Sequence, residues 1–372
     1  MRAIGIILAG GNSNQVRELS RKRAVAALPI AGSYRAIDFT LSNMANSHIS
    51  KVAVLTQYNA KSMNEHLNSS KWWDFGRKQG GLFVFTPSVT AENSFWYRGT
   101  ADSIAQNISF LKGSHEPYVV IAPGNIVYKM DFNKVLEDHI KSEADITVVC
   151  KDMGRDVDVT RFGVVQLDEN NRIVQFEEKP VQADSTIVSL GIYVIRRRLL
   201  IELIEKAAKE ERYDFVSDVL IRYKNAKKIH AYMFDEYWSN IGTVDSYYET
   251  NMKFLAPDVR NYFFRQYPDI YSKVDDYPPA KYNPGAVVSN SLVSTGCIIN
   301  GHVENSVLFK KAYIGNNCVI RNSIILNNVY IGDNTFIENC IIESRGTIKA
   351  NSSFVGESRI RIVTDTSEAY ER

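Results

Sequence analysis

Four short segments near the end of the chain share one pattern, an Asn followed by a small residue and two aliphatic ones. They recur every 15 to 17 residues and are 290–293 (NSLV), 305–308 (NSVL), 322–325 (NSII) and 339–342 (NCII). Short β-branched runs broken by Asn and Gly at this period are typical of hexapeptide repeats, three to a coil, in which each coil stacks on the next. The sequence therefore predicts a parallel β-helix.

The residues before this repeat alternate between apolar, β-rich runs and runs that favour helix. Strands are predicted at 3–8, 51–55, 118–122, 146–149, 164–167 and 191–195, and helices at 39–46, 100–111, 132–142 and 199–209. Buried strands alternating with helices indicate a mostly parallel sheet covered by helices on both faces. Ligands bind such sheets beyond the carboxyl ends of the strands, where Gly10, Gly11, Gly124 and Asn125 fall.

Five prolines lie between positions 256 and 284, among many aromatic residues. Because proline interrupts helices, we expect this stretch to be a linker without regular helix. The predicted units are an α/β domain at 1–255, the linker at 256–284 and the β-helix at 285–372.

Composition excludes several classes of protein. The chain is 45% hydrophobic and 23% charged with a net charge of +2, which gives no signal for a nucleic-acid or membrane partner. The four cysteines are far apart and the six histidines show no zinc spacing. The apolar N-terminal run is too short to span a bilayer. We therefore expect a cytoplasmic protein with reduced thiols.

Six segments along the chain carry a resemblance to a known family. Residues 6–11 (IILAGG) form an apolar strand followed by paired glycines, which allow backbone amides to approach phosphates closely. The other five are 35–43 (RAIDFTLSN), 96–102 (WYRGTAD), 176–180 (FEEKP), 189–193 (SLGIY) and 237–243 (YWSNIGT). In this order they resemble the ADP-glucose pyrophosphorylase (glucose-1-phosphate adenylyltransferase) family, and in particular its regulatory, GlgD-type subunit. The resemblance implies a Rossmann-like nucleotidyltransferase domain followed by a left-handed parallel β-helix.

Residues that the family reaction needs are replaced in this chain. The family joins glucose 1-phosphate to ATP using Mg²⁺ held by two aspartates, a loop Arg and a Lys in an RAKP motif. By the resemblance, the corresponding residues here are Asn125 and Asn240 for the aspartates, Gln15 for the Arg and Val25 for the Lys. The family's inner loop Gly and the Pro of RAKP are replaced by Ser13 and Ala26. An amide resembles a carboxylate in shape but lacks its charge, so it binds Mg²⁺ poorly. We therefore expect no intact catalytic set, no metal ligands and no tightly bound cofactor, with Mg²⁺ acting in a partner's active site.

Residues for ligand binding are kept by type. The resemblance places a nucleotide site at Leu8, Ala9, Gly10, Gly11, Gln57, Gly99, Thr100 and Asp102, and a sugar-phosphate site at Tyr97, Glu178, Lys179, Ser189, Asp214 and Trp238. It places an anionic-effector site between the domains at Lys22, Arg23, Arg35, Lys310 and Lys311, because clustered cations suit sugar phosphates or inorganic phosphate. The alternative for these cations is an ordinary solvated face.

Three functions remain open. The first is a non-catalytic or weakly active regulatory subunit that allosterically activates a catalytic paralogue, in a heterotetramer, for glycogen biosynthesis. The second is an adenylyltransferase that makes ADP-glucose by itself, with Asp131 or Asp102 holding the metal. The third is a β-helix interaction protein whose first domain only binds ligand, such as ATP or glucose 1-phosphate.

Overall fold

A computed structural model of the chain describes residues 2–11, 14–76, 80–89 and 94–364. The strands of the first domain are β1 (Ala3–Leu8), β2 (Pro29–Ile30), β3 (Tyr34–Arg35), β4 (Lys51–Leu55), β5 (Gly81–Phe85), β6 (Tyr118–Pro123), β7 (Ile126–Tyr128), β8 (Ile146–Asp152), β9 (Gly163–Leu167), β10 (Ile173–Glu178), β11 (Ile187–Arg196), β12 (Ile229–Met233) and β13 (Trp238–Asn240). The helices are α1 (Ala36–Asn46), α2 (Ala60–Leu67), α3 (Thr100–Ala105), α4 (Ile108–Lys112), α5 (Phe132–Lys141), α6 (Arg197–Lys209), α7 (Val244–Lys253) and α8 (Pro257–Phe264). Short 3₁₀ segments are Asn14–Ser20, Val25–Ala27 and Ser70–Trp73, and Val216–Ile221 forms a π-helical turn. No helix in these described ranges is long and apolar enough to cross a bilayer.

The central sheet has nine strands, in the order β10-β9-β11-β6-β1-β4-β5, with β8 paired to β11 and β12 paired to β8. Strand β1 is parallel to both of its neighbours, β4 and β6, so that Leu8, Leu55 and Pro123 end at one edge. The predicted Rossmann-like sheet is confirmed. Strand β11 is antiparallel to β6 and β8, which makes the other half of the sheet mixed.

Helices cover both faces of this sheet, as predicted. One core cluster joins Ile7 and Val120 to Leu41 of α1 and Leu136 of α5. The other joins strand residues of the opposite face to α3, α4 and α6. The predicted helix at 100–111 is in fact two helices, α3 and α4, interrupted at Asn107. Its side chain donates to the hydroxyl of Tyr97 at 2.9 Å and to a backbone carbonyl of α3, that of Ser103, at 2.8 Å.

The expectation of no regular helix in the linker is wrong. Helix α8 starts at Pro257, in the first turn, where proline costs nothing because that N–H has no partner inside the helix. Beyond α8 the chain runs without helix or strand to Ala280, and the first strand of the C-terminal domain begins at Lys281, inside the stretch predicted as linker.

The C-terminal domain is the predicted parallel β-helix. Three five-stranded parallel sheets run along it, β14-β17-β20-β23-β26, β15-β18-β21-β24-β27 and β16-β19-β22-β25-β28. The strands are β14 (Lys281–Tyr282), β15 (Val287–Ser289), β16 (Leu292–Val293), β17 (Ile298–Ile299), β18 (His302–Glu304), β19 (Val307–Leu308), β20 (Tyr313–Ile314), β21 (Val319–Arg321), β22 (Ile324–Ile325), β23 (Tyr330–Ile331), β24 (Phe336–Glu338), β25 (Cys340–Ile342), β26 (Thr347–Ile348), β27 (Ser353–Val355) and β28 (Arg361–Val363). The repeated Asn of each coil explains the sequence period. Asn290, Asn305, Asn322 and Asn339 all turn the corner with positive φ, between 39° and 52°, a conformation that Asn tolerates better than most residues.

The third sheet of the β-helix packs against the first domain. Of the two aliphatic residues in each of its strands, one points inwards and the other joins a core shared with the first domain. The outer column consists of Leu292, Val307, Ile324, Ile341 and Ile362. It lies in one cluster with Val16, Leu19 and Tyr247 of the first domain. The two domains therefore share a continuous apolar core.

Candidate functional site

A cleft of about 700 Å³ opens where β1, β4 and β6 end. The chain is held there by backbone hydrogen bonds, from Ala9 N to Leu55 O at 2.8 Å and from Gly124 N to Leu8 O at 3.0 Å. Gly11 has open space where a Cβ would stand. A ligand can therefore approach the backbone of this turn directly.

The predicted nucleotide residues line this cleft, with one exception. Those lining it are Leu8, Ala9, Gly10, Gly11, Gln57, Gly99 and Thr100. Gly99 is required sterically, because a Cβ would lie 2.3 Å from a backbone oxygen, that of Tyr213. The exception is Asp102, which is buried and does not line the cleft. Its carboxylate accepts from the guanidinium of Arg98 at 3.2 Å and from the Arg98 backbone N–H at 2.9 Å. Asp102 therefore positions Arg98 rather than a ligand.

Most of the predicted sugar-phosphate residues lie on the opposite wall. Those lining the cleft are Tyr97, Glu178, Lys179, Ser189 and Trp238. Asp214 does not line it, because its carboxylate accepts from Ser217 N at 2.8 Å and from Thr100 Oγ1 at 3.3 Å. Burial raises the pKa of Glu178 despite the Lys179 ammonium 3.6 Å away. The indole N–H of Trp238 is buried and finds no hydrogen-bond partner among the described residues.

The two asparagines at the expected metal positions meet where β7 pairs with β13. Both line the cleft, and Ile241 N donates to Asn125 O at 3.2 Å. The Oδ1 of Asn240 is already occupied, since it accepts from Gly242 N at 2.7 Å. Neutral amide oxygens, one of them engaged by the backbone, do not fit Mg²⁺, which requires carboxylates or phosphates. No group of three or more His, Cys, Asp or Glu positioned for a metal occurs in the described part of the chain.

The two lost cations have different surroundings. Val25 lines the cleft but is 5% exposed and packs in the shared core with Val16 and Leu28. Gln15 is exposed and does not line the cleft, where its neighbour Asn14 stands instead. Ser13 lies outside the described residues.

The sequence reasoning missed two cations of this cleft, Arg98 and Arg161. The guanidinium of Arg98 lies 3.9 Å from the ring centroid of Tyr213 and donates to that hydroxyl at 2.7 Å. Arg98 stands in the WYRGTAD segment, so the motif itself carried the signal. Nothing in the sequence marks Arg161, because it stands in a loop before β9.

The two carboxylates considered as replacement metal ligands are engaged elsewhere. Asp131 is the N-cap of α5, accepting from Asn133 N at 2.9 Å. Asp102 holds Arg98, as described above. Neither of the two lines the cleft.

A second pocket, of about 670 Å³, lies at the junction of the two domains. Four of the five predicted effector residues line it, namely Lys22, Arg23, Arg35 and Lys310. Lys311 does not; its ammonium lies 4.1 Å from the ring centroid of Tyr277. Burial lowers the pKa of the Arg35 guanidinium, against the opposing effect of Asp38.

Sequence reasoning missed three further cations of this interdomain pocket, Lys61, Lys273 and Arg345. They come from α2, the linker and the β-helix, so only the folded chain brings them together. Seven Lys and Arg side chains thus line the pocket in the described part of the chain, against the two carboxylates of Glu65 and Asp275.

Comparison with known proteins places the chain in a family. A family model described as nucleotidyl transferase matches residues 4–256, and one described as GlmU-like, C-terminal hexapeptide, matches residues 278–361. The first domain thus belongs to the nucleotidyl transferase family, and a hexapeptide domain follows it. It is 39% identical to the glucose-1-phosphate adenylyltransferase of Thermosipho melanesiensis, over 86% of this chain and 77% of the relative. It is 37% identical to those of Clostridium novyi, over 85% and 84%, and Geobacillus stearothermophilus, over 86% and 83%. The chain therefore belongs to the glucose-1-phosphate adenylyltransferase family.

Proposed function

We propose that this chain is a non-catalytic or weakly active regulatory subunit of glucose-1-phosphate adenylyltransferase, which allosterically activates a catalytic paralogue. The observation that carries the proposal is the cleft itself. Five of the six predicted sugar-phosphate residues line it, but Asn125, Asn240 and Val25 line it where, by the resemblance, the family chemistry needs two acids and a cation.

The missing charged groups explain why such a cleft would catalyse the family reaction slowly. Transfer to the α-phosphate of ATP brings two anionic groups together, and the site must neutralise them. An arginine that stabilises this charge is worth ~10³–10⁵ in rate. Arg98, Arg161 and Lys179 remain as cations in the cleft, so binding of ATP or glucose 1-phosphate is compatible with slow chemistry.

The regulatory part of the proposal is supported by the interdomain pocket. Its excess of cations suits a sugar phosphate or inorganic phosphate. An effector bound there would contact both domains and stabilise one arrangement of them, which a catalytic partner in a heterotetramer would sense through the shared interface. We propose that this assembly works in the cytoplasm in glycogen synthesis, with Mg²⁺ in the partner's active site.

The test measures ADP-glucose formation with Mg²⁺, ATP and glucose 1-phosphate. The chain alone should be at least about 10³-fold slower than its catalytic paralogue, and adding it to the paralogue should change the response to sugar phosphates. Restoring the acids with Asn125→Asp and Asn240→Asp should raise the activity of the isolated chain. Asn170→Asp, an exposed position that does not line the cleft, is the matched control.

Robust turnover by the unaltered chain alone would refute the proposal and favour a self-sufficient adenylyltransferase. The names of the relatives supply the case for that second function. Binding of both ligands, with no turnover and no effect on any catalytic paralogue, would instead favour a ligand-binding interaction protein.

A further inference from the structure

Two of the cations in the interdomain pocket already have internal carboxylate partners. The ammonium of Lys310 lies 3.0 Å from Asp275 Oδ2, and the guanidinium of Arg23 binds the carboxylate of Glu343. These pairs differ in accessibility. The Arg23–Glu343 pair is 13% and 4% exposed, whereas Asp275 is 36% exposed and its partner Lys310 15%. The two cations are almost equally exposed, so the pairs differ in their carboxylates: Asp275 can be displaced into solvent, whereas Glu343 is enclosed.

Lys310 is the fixed member of its pair. Its backbone N–H donates to Asn327 Oδ1 at 3.1 Å, and its carbonyl accepts from Asn328 N at 2.9 Å in the next coil of the β-helix. The residue before it, Phe309, is buried in the core that the two domains share. The Lys310 side chain is consequently attached to a rigid stack.

Asp275 is the more exposed member of the pair. It lies in the part of the linker that forms neither helix nor strand, between a tie to the first domain and a tie to the β-helix. Within this stretch Lys273 Nζ also donates to Glu65 O at 3.2 Å, and Tyr277 N donates to Asp275 O at 3.0 Å. The first tie is at Tyr271 and Ser272, where Tyr271 N donates to the hydroxyl oxygen of Ser42 at 2.8 Å and the Ser272 hydroxyl donates to Asp38 at 2.6 Å. The second is at Pro278, whose carbonyl accepts from the β-helix at Gly296 N, 2.7 Å away.

We propose that Asp275 is an internal counter-anion of the interdomain pocket, which an anionic effector displaces from Lys310, releasing the linker around Asp275 from the β-helix. This inference rests on the effector role proposed above for the pocket. A phosphate group offers Lys310 more charge and more acceptor oxygens than one carboxylate does. Two anions cannot share one ammonium without repelling each other, so phosphate binding expels Asp275.

The released segment leads back towards the main cleft. Its first tie attaches it to α1, where Asp38 also binds His66 at 2.6 Å. From α1, Thr40 donates to Pro123 O at 2.9 Å and Asn43 donates to Tyr128 O at 3.2 Å. Those two carbonyls flank Asn125. A chain of direct contacts thus connects the segment around Asp275 with the main cleft.

The test titrates the full chain with inorganic phosphate, at constant ionic strength, by calorimetry. Because an ion pair at this exposure competes modestly, Asp275→Asn should bind phosphate roughly two- to fivefold more tightly than the unaltered chain. Asp276→Asn is the matched control. It removes the same charge one residue away, but Asp276 is exposed and does not line the pocket. Its phosphate affinity should match that of the unaltered chain.

The gain must depend on Lys310. In a Lys310→Met background, Asp275→Asn should no longer tighten phosphate binding. Hydrogen exchange adds an independent readout, since phosphate should speed exchange at 273–277 in the unaltered chain. Equal affinities of the Asp275→Asn and Asp276→Asn variants, or a gain that persists without Lys310, would overturn the inference. Either result leaves the assay with the catalytic paralogue untouched, so a failure here is distinct from a failure of the proposed subunit role.

Discussion

At the scale of single residues, the buried polar atoms fall into two groups. Some have a hydrogen-bond partner within the fold, and others lack a partner among the described residues. Asn240 has its Oδ1 satisfied by Gly242 N, so an amide in place of a carboxylate keeps this turn intact. Two other buried nitrogens, Trp238 Nε1 and His139 Nε2, find no partner among the described residues. Trp238 lines the cleft, where a ligand can supply an acceptor. His139 belongs to α5 and contacts Thr147 of the sheet, away from the cleft. Its unpaired buried nitrogen therefore lowers the stability of the fold.

We predict that His139 makes the protein less stable in mild acid. Its Nδ1 lies 2.8 Å from Thr147 Oγ1, and burial, reinforced by Arg196, lowers its pKa from 6.5 to about 4. Between those values the unfolded chain binds a proton that the folded chain does not, so the free energy of unfolding falls as pH drops from about 7 to 4. The total loss from this group is about 2–3 kcal/mol.

Urea unfolding between pH 4 and 7 measures this effect. His139→Asn should flatten the dependence of unfolding free energy on pH within that window. The exposed His115 provides the control, because His115→Asn removes an imidazole from the surface and should leave the dependence as it was. An unchanged slope in His139→Asn would contradict the prediction.

At the scale of elements, sequence patterns predicted what depends on local periodicity. The period of 15 to 17 residues gave the β-helix, and strand runs such as Ala3–Leu8 and Lys51–Leu55 agree with the structure residue for residue. Two consecutive aliphatic residues after the small residue of each repeat also indicate a strand buried on both sides, and one residue of each pair packs against the first domain. The density of prolines in the linker does not predict helix α8, because the effect of a proline depends on its position and Pro257 stands in the first turn.

Helix α8 is held to the first domain by a buried lysine, and we predict that this lysine is needed for stability. The ammonium of Lys129 donates to the carbonyls of Tyr262 and Gln266, each at 2.6 Å, at the end of the helix. Lys129→Met fills the same space but leaves both carbonyls without this donor. The expected loss is about 1–3 kcal/mol of unfolding free energy.

Chemical denaturation measures the loss. Lys134→Met, at an exposed position of α5, should change stability by less than about 0.5 kcal/mol. A loss of similar size in both variants would mean that the Lys129 contacts to α8 contribute nothing specific.

At the scale of the whole molecule, each pocket is formed by residues that are far apart in the sequence. No local sequence pattern predicts which of these residues come together. The resemblance predicted most cleft residues, which follow β1 and β4 or lie on β10, β11 and β13 and in the loop before α3. It could not show that Asp102 and Asp214 turn away from the cleft, because that depends on which backbone N–H each carboxylate meets. Lys61, Lys273 and Arg345 join the interdomain pocket only through the docking of the domains. The sequence therefore does not predict which side chains from separate elements contact each other.

The Arg23–Glu343 pair joins residues 320 positions apart, and we predict that it ties the β-helix to the first domain. Because both side chains are nearly buried, removing one partner leaves an uncompensated charge, at a cost of about 3–5 kcal/mol. Arg23→Met should therefore destabilise the chain strongly, whereas Arg23→Met combined with Glu343→Leu should recover most of the loss.

The exposed Glu304–Arg321 pair, at 3.3 Å within the β-helix, is the control, and Arg321→Met should cost less than about 1 kcal/mol. A double-mutant cycle in urea gives both coupling energies. Similar coupling for the two pairs would show that burial at the domain junction does not strengthen the Arg23–Glu343 contact.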